Sequence, residues 1–336
     1  MTTPAIRALK CSSQERRLTL LTSPAGAKVA ELVPEIDDII VYQSPWMKAT
    51  APRTDAQEDY AMIEQLRNAR FDAAVIFTVY SQNPLPAALL CYLAEIPLRL
   101  AHCHENPYQL LTDWIPDPEP AQGIRHEVQR QLDLVATVGC WTNDQRLSIR
   151  VPANARVRLQ TLLDHIEIDC DRTWIVMHPG STAPSRRYPP EKFAEVALLL
   201  KSEMGCQMVF TGISEEQALI EQIRAVTGGD SYSLCGRLQV AELAALIEAA
   251  PLLISNNTGA VHVAAAVNTP VVDIYALTNP QHTPWAVPHR VLSHDVSCKY
   301  CYKSVCPAGH HDCLRLITPE EVVAAAKELL ALREVN

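Results

Sequence analysis

The second half of the chain alternates short β-rich runs with helical ones, and this alternation restricts the fold more than any other feature. "TWIVMHPG" (173–180), "QMVFTG" (207–212), "YSLCG" (232–236), "PLLISNN" (251–257) and "PVVDIYA" (270–276) read as strands. Helices are expected over 189–205, 214–226, 239–250 and 258–267. The first of these has two prolines at its start and Gly205 just past its end. "RVLSHD" (290–295) offers one more strand. A last helix over 319–333 has Thr318 as its N-cap and Glu321 at the reciprocal position. The first half follows the same plan. Strands are expected in "RLTLLTS" (17–23), "DDIIVY" (37–42), "DAAVIFT" (72–78) and "LRLAHC" (98–103), and helices over 3–10, 25–32, 54–69, 84–94 and 124–137. The Pro-rich stretch 105–123 reads as a loop. Such alternation specifies an α/β fold of mostly parallel sheets with helices on both faces. The chain has 336 residues, 48% of them hydrophobic, which is enough for two domains with substantial cores. Two wound sheets of similar size are expected to face a cleft, with ligands beyond the carboxyl ends of the strands.

Charge and apolar patterning exclude several partners. The net charge is −9 with no basic stripe, so nucleic acid is not an expected partner. No stretch reaches ~18 consecutive apolar residues, so no transmembrane segment is expected. "LPAALLCYL" (85–93) is too short to cross and reads as a buried helix. There are 11 cysteines and no secretory pattern at the start, so free thiols in a reducing cytoplasm are expected.

Two motifs carry the candidate chemistry. In "HPGSTAPSRRYPP" (178–190) a strand turns at Gly180 and offers the hydroxyls of Ser181 and Thr182, followed by Arg186 and Arg187. Hydroxyls, backbone N–H groups and a guanidinium fork suit a diphosphate. The alternative is a strand-to-helix loop with solvated arginines. In "ISNNTGAVHVAAA" (254–266) a strand ends at Ser255 or Asn256, and Thr258 and Gly259 open a helix. The unpaired N–H groups at that helix start form an anion site. Gly259 permits close approach to the backbone, and His262 lies one turn in. The alternative is a capped core helix with His262 bonded internally.

Together these motifs resemble glycosyltransferase family 9, the ADP-heptose:lipopolysaccharide heptosyltransferases and their relatives. The resemblance is carried by Pro179, Gly180, Ser181, Thr182, Arg186, Arg187, Tyr188 and Pro189, and by Asn257, Thr258, Gly259 and His262. It extends through "TGISEE" (211–216), "CGRLQVAELAALIEAAPLLISN" (235–256), "VVDIYALTNP" (271–280) and "ITPEEVVAAAKELL" (317–330), and more loosely through the first half. It implies a GT-B fold of two Rossmann-like domains, here 1–160 on the acceptor side and 161–318 on the nucleotide-sugar side. A C-terminal helix over 319–336 is free to pack back toward the first domain. It implies inverting transfer of heptose or a similar sugar from a nucleotide-diphosphate donor, without a required cofactor. The acceptor is a lipopolysaccharide core or another glycan or lipid-linked molecule, placing the enzyme in the cytoplasm at the inner membrane face. The donor-binding residues it implies are Ser181, Thr182, Arg186, Glu215 on the ribose, Leu238 near the base, Asn257, Thr258, Gly259 and His262. Arg186 stands where the family has lysine, and Asn257 where it has aspartate. The family also has a first strand and a Gly-Asp loop ahead of "TTPAIRAL", with that aspartate as general base. The resemblance therefore places the catalytic base and the first strand upstream of Met1, and Asp37, Asp38, Asp55 and Asp72 are not nominated in its place. A catalytically impaired nucleotide-sugar-binding protein is the alternative function, and an epimerase on the same fold is a third.

"CKYCYKSVCPAGHHDC" (298–313) falls outside this scheme. Cys298, Cys301, Cys306 and Cys313 are enough thiols for tetrahedral zinc, and the first pair has suitable spacing. The other spacings match no standard finger. No metal is expected in the mechanism, and a thiol-rich surface loop is the alternative.

Overall fold

The computed structural model describes residues 1–47 and 50–334, with helix and strand bounds as follows. The first part holds α1 (Thr3–Cys11), β1 (Thr19–Thr22), α2 (Pro24–Ala30), β2 (Asp38–Val41), α3 (Gln57–Ala69), β3 (Ala73–Ile76), α4 (Leu85–Leu93), β4 (Leu98–Cys103), β5 (Asp113–Pro116) and α5 (Glu127–Ala136). The second holds α6 (Ala153–His165), β6 (Trp174–His178), α7 (Pro190–Met204), β7 (Gln207–Phe210), α8 (Gln217–Thr227), β8 (Ser231–Ser233), α9 (Val240–Ala249), β9 (Leu253–Asn256), α10 (Gly259–Ala266), β10 (Val271–Ile274), β11 (His289–Leu292), α11 (Asp312–Arg315) and α12 (Pro319–Glu334). These form two compact units, Met1–Gln145 and Arg146–Asn336.

In the second unit all strands are parallel, in the order β11-β10-β9-β6-β7-β8. Counted along the chain this is the 3-2-1-4-5-6 order of a doubly wound dinucleotide-type sheet. The direction of winding reverses between β6 and β9, which run in register as Val176↔Leu253, Met177↔Ile254 and His178↔Ser255. β7, β9 and β10 are buried along their whole length. Helices therefore cover both faces, as the sequence requires. Phe193, Val196, Ala197 and Leu200 of α7 pack with Ile175, Met177 and Phe210 of the sheet. The C-terminal helix joins that core through Val322, Val323, Ala326 and Leu329. Its start is fixed as expected: Thr318 N–H donates to the Glu321 carboxylate, and Glu321 N–H donates to the Thr318 hydroxyl.

The strands of the first unit fall into two parallel sheets, β1-β2 and β3-β4-β5, over one hydrophobic cluster. That cluster includes Tyr42, Met62, Leu66, Ile76, Leu90 and Ala101, with Leu21 and Ile40 packed against it. β5 lies inside the stretch read as a loop. It is an edge strand of four residues ending in proline, which gives little periodic signal. Loop ends here are held by charge: the buried Arg130 guanidinium pairs with Asp117 and Glu119 and donates to the carbonyl of Thr78. Asp117 loses stability as a charge through burial, but Arg130 more than offsets this and holds its carboxyl below the usual range. Among the described residues no helix is long and apolar enough to cross a membrane.

Core packing in the second unit gives a stability prediction. Phe193 is fully buried and meets Tyr188 edge-on, with centroids 5.3 Å apart at 85°. Phe193→Ala should cost about 3–5 kcal/mol, read as a lowered urea midpoint. Leu198→Ala, on the exposed side of the same helix, should stay within about 0.5 kcal/mol of the parent.

Candidate functional site

The strand order brings the two sequence motifs together. Both follow the carboxyl ends of adjacent strands, β6 and β9, at the point where the winding reverses. A buried asparagine fastens them. Asn256 Nδ2 donates to the carbonyl of Pro179 at 2.6 Å, and its Oδ1 accepts from Tyr188 N–H at 3.0 Å. Tyr188 is itself buried, and its hydroxyl donates to the carbonyl of Ile317 at 3.0 Å. Sequence reasoning singled out Asn257 and missed Asn256. The doublet "NN" was visible, but not which member faces inward.

The loop after β6 passes over Gly180. A Cβ there would run into the carboxylate of Glu216, so the position admits only glycine unless Glu216 moves. Glu216 also accepts from Ile213 N–H at 3.0 Å, while Glu215 is exposed. Ser181 is buried and Thr182 exposed, so the two hydroxyls differ in setting. Ser181's carbonyl accepts from Arg187 Nε at 2.7 Å. Arg186 is half-buried and donates through Nη2 to Asn279 Oδ1 at 2.9 Å. Its Nε is buried with no protein acceptor.

Asn257 is buried and turned the other way from Asn256. Its amide donates to Asp273 Oδ2 at 2.9 Å and to the carbonyl of His282 at 3.0 Å. His282 Nδ1 meets Asn279 Nδ2 at 3.3 Å. A continuous hydrogen-bonded chain thus runs Arg186–Asn279–His282–Asn257–Asp273 and joins residues from both motifs. Thr258 is the N-cap of α10, yet its side chain makes no capping bond and its Oγ1 is buried without a partner. Gly259, the first residue of that helix, has open space where a side chain would project. His262 lies one turn on, half-exposed, and Leu238 is half-buried in the loop before α9. Polar atoms buried without partners are uncommon, and Thr258 Oγ1 is one at a helix start, a setting that suits an anion.

Two further groups, not singled out in the sequence, set the electrostatics. His178, at the end of β6, is pushed down to about 4 by burial and bonds Thr211 Oγ1 through Nδ1 at 2.9 Å. Asp273 is fully buried on β10, and burial pushes its carboxyl up to about 8, with the Asn257 bond opposing. Both are therefore neutral at neutral pH, and neither opposes the positive charge of Arg186. Cys298, Cys301, Cys306 and Cys313 surround a small cavity that Ser185 and Thr278 also line, next to this network.

The sequence profile of glycosyltransferase family 9 (heptosyltransferase) matches residues 60–311. The chain belongs to glycosyltransferase family 9. It is accordingly a glycosyltransferase. It is 27% identical over 283 residues to lipopolysaccharide heptosyltransferase 2 of Escherichia coli (strain K12), covering 80% of this chain and 78% of that protein. A family 9 glycosyltransferase from Veillonella parvula superposes with a TM-score of 0.80 at 22% identity, over 98% of this chain and 93% of that one. The E. coli ADP-heptose heptosyltransferase II structure gives 0.77 at 23%, over 99% and 95%. These likenesses show a GT-B-type fold, with two Rossmann-like domains.

The Asp273 carboxyl yields a pH prediction. Its native pKa is raised from 3.8 to about 8, so the native state binds a proton that the unfolded state releases. Its contribution is fully present below 3.8 and is lost as pH rises toward about 8. Asp273→Asn, which keeps the shape and cannot ionise, should gain stability relative to the parent as pH rises through that window. Urea unfolding of both chains across the range checks this, and a constant difference would contradict it.

Proposed function

We propose that this glycosyltransferase moves heptose, or a closely similar sugar, from a nucleoside-diphosphate donor to a lipopolysaccharide-core or other lipid-linked glycan, with inversion. The observation that carries this reading is the open space at Gly259. It lies at the start of α10, two residues after Asn257, which belongs to the same bonded network as Arg186. Support also comes from the heptosyltransferase names of the relatives.

In this reading the diphosphate oxygens meet the α10 N–H groups, the hydroxyls of Ser181, Thr182 and Thr258, and the Arg186 guanidinium. As the anomeric C–O bond breaks, negative charge grows on the departing diphosphate, and these donors are already oriented toward it. Inversion follows from one displacement, in which the acceptor oxygen bonds the anomeric carbon opposite the leaving oxygen. Asn257 has both amide hydrogens engaged, so its Oδ1 remains to accept from a donor-sugar hydroxyl, with His262 nearby on α10. Glu215 faces the ribose and Leu238 the base. The guanidinium and helix amides supply the counter-charge, so the reading needs no cofactor. A lipid-linked acceptor places the enzyme peripherally at the cytoplasmic face of the inner membrane.

Calorimetry with ADP, UDP and GDP tests the donor site, followed by transfer from ADP-heptose to a heptose-bearing core acceptor. Absence of binding by all three nucleotides sinks the reading. Arg186→Ala should weaken nucleotide binding about 10- to 100-fold, the loss expected for a charge-assisted bond of about 1.5–3 kcal/mol. Gly259→Val fills space that no protein atom uses, so it should unfold within about 0.5 kcal/mol of the parent yet lose measurable nucleotide binding. Binding unchanged in Gly259→Val would move the diphosphate elsewhere.

A further inference from the structure

The loop between β11 and α12 contains four thiols that the donor-site reading does not use. Cys298, Cys301, Cys306 and Cys313 are all half-buried, whereas Cys11 and Cys170 are exposed and the other five cysteines are buried. The four line one small cavity of about 20 Å3 together with His310 and His311. That volume holds one water-sized particle. A buried water requires two to four good hydrogen-bonding partners, and thiols are poor ones. Thiolates and imidazoles are instead the preferred ligands of soft and borderline divalent ions.

The backbone is shaped for this role. Tyr300, between Cys298 and Cys301 and adjacent to the latter, has φ +59, and Gly309 and His311, after Cys306, have φ +72 and +56. Such left-handed residues fold the chain back on itself beside each thiol. Gly309 N–H donates to the carbonyl of Cys306 at 3.2 Å, closing a tight turn after that thiol. Cys298 Sγ lies 3.5 Å from His310 Nε2. As placed, the side chains surround the cavity, and no three of them converge on a single point at bonding distance. Metal binding therefore requires the cysteine side chains to rotate inward about their Cα–Cβ bonds, to the sulfur distance of about 2.3 Å that a tetrahedral site needs.

We propose that this loop binds one thiophilic divalent metal ion, zinc(II) or iron(II), through Cys298, Cys301, Cys306 and Cys313. The four thiols deprotonate on binding and their protons pass to solvent, with no redox change. All four positions are filled by protein, so the ion is structural. What it holds is the donor site. Ser185 N–H donates to the carbonyl of Ser304 at 3.1 Å, and Ser185 Oγ donates to that of Lys303 at 2.8 Å. Tyr302 N–H donates to the carbonyl of Thr278 at 2.9 Å, and Thr278 Oγ1 donates to Asn279 Oδ1 at 2.7 Å. Asn279 is the acceptor of Arg186. The metal loop therefore clamps both segments that aim the Arg186 guanidinium. This last link rests on the donor-site reading, whereas the metal content does not.

The test is elemental analysis of the whole chain, purified reduced and without chelator. About one equivalent of zinc or iron per chain is expected, and the element found distinguishes the two. Cys306→Ser and Cys301→Ser should each retain less than about a tenth of it, while Cys170→Ser keeps it all. Where a variant does not fold, cobalt(II) added to metal-stripped, reduced parent protein should give the intense near-ultraviolet thiolate-to-cobalt absorption of a tetrahedral site. Less than about a tenth of an equivalent as purified, with no such absorption on adding cobalt, overturns the proposal. So does intact-mass evidence that the four thiols are paired as disulfides in freshly lysed cells.

Discussion

The carboxamide of Asn256 is the joint on which the rest of the second unit's chemistry depends. Strand order alone puts the ends of β6 and β9 side by side, but loops leaving adjacent strands can diverge. One buried amide prevents this by donating to Pro179 and accepting from Tyr188. Its removal would leave two buried backbone groups unsatisfied, at about 1–3 kcal/mol each. Because the joint is made at the base of both loops, everything further out is fixed relative to one frame. Ser181, Arg186, Thr258 and Gly259 all lie within a few residues of it.

The network around that joint is made mostly of neutral groups, and this has an electrostatic consequence. His178 and Asp273 are titratable groups at the strand ends, and burial keeps both uncharged at neutral pH. Asn279 and Asn257 pass hydrogen bonds along without adding charge. The guanidinium of Arg186 is held by an amide oxygen instead of a carboxylate. A carboxylate partner would cancel its charge before an anion arrived, whereas an amide orients it and leaves its field intact. The α10 amides add partial positive charge.

Much of this was legible in the sequence, and the gaps have physical causes. β6, β7, β9 and β10 were plain because strands covered on both faces read as short apolar runs. Helix α7 was plain from its flanking prolines and Gly205. Helix α6 was not assigned. Its inward positions Ala155, Leu159 and Leu163 form a narrow stripe, while the exposed Val157 and half-buried Leu162 blur the period. Site chemistry was legible where a residue type is rare in its setting, as with Thr258–Gly259 after a strand. It was hidden where identical neighbours face opposite ways. Asn256 and Asn257 differ only in which strand partner each meets. Likewise, Glu216 packs on Gly180 while Glu215 is exposed. Asp273 reads as a stray acid in "VVDIY", and only the fold shows that its partner is Asn257.

The first unit solves the same mechanical problem with opposite chemistry. There the loop ends after β3 and β5 are tied by Arg130, which reaches the carbonyl of Thr78 and the carboxylate of Asp117. Buried Glu119 and half-buried Arg125 complete a set in which each guanidinium is already matched by carboxylates. Such pairs fix geometry well but contribute little net stability, since desolvation offsets most of the attraction. They also leave no net positive field for an anion. A diphosphate needs that field, so of the two sets of loop ends only the one tied by neutral amides suits it. The distribution of charge between the two joints is thus in keeping with the donor site proposed for the second unit.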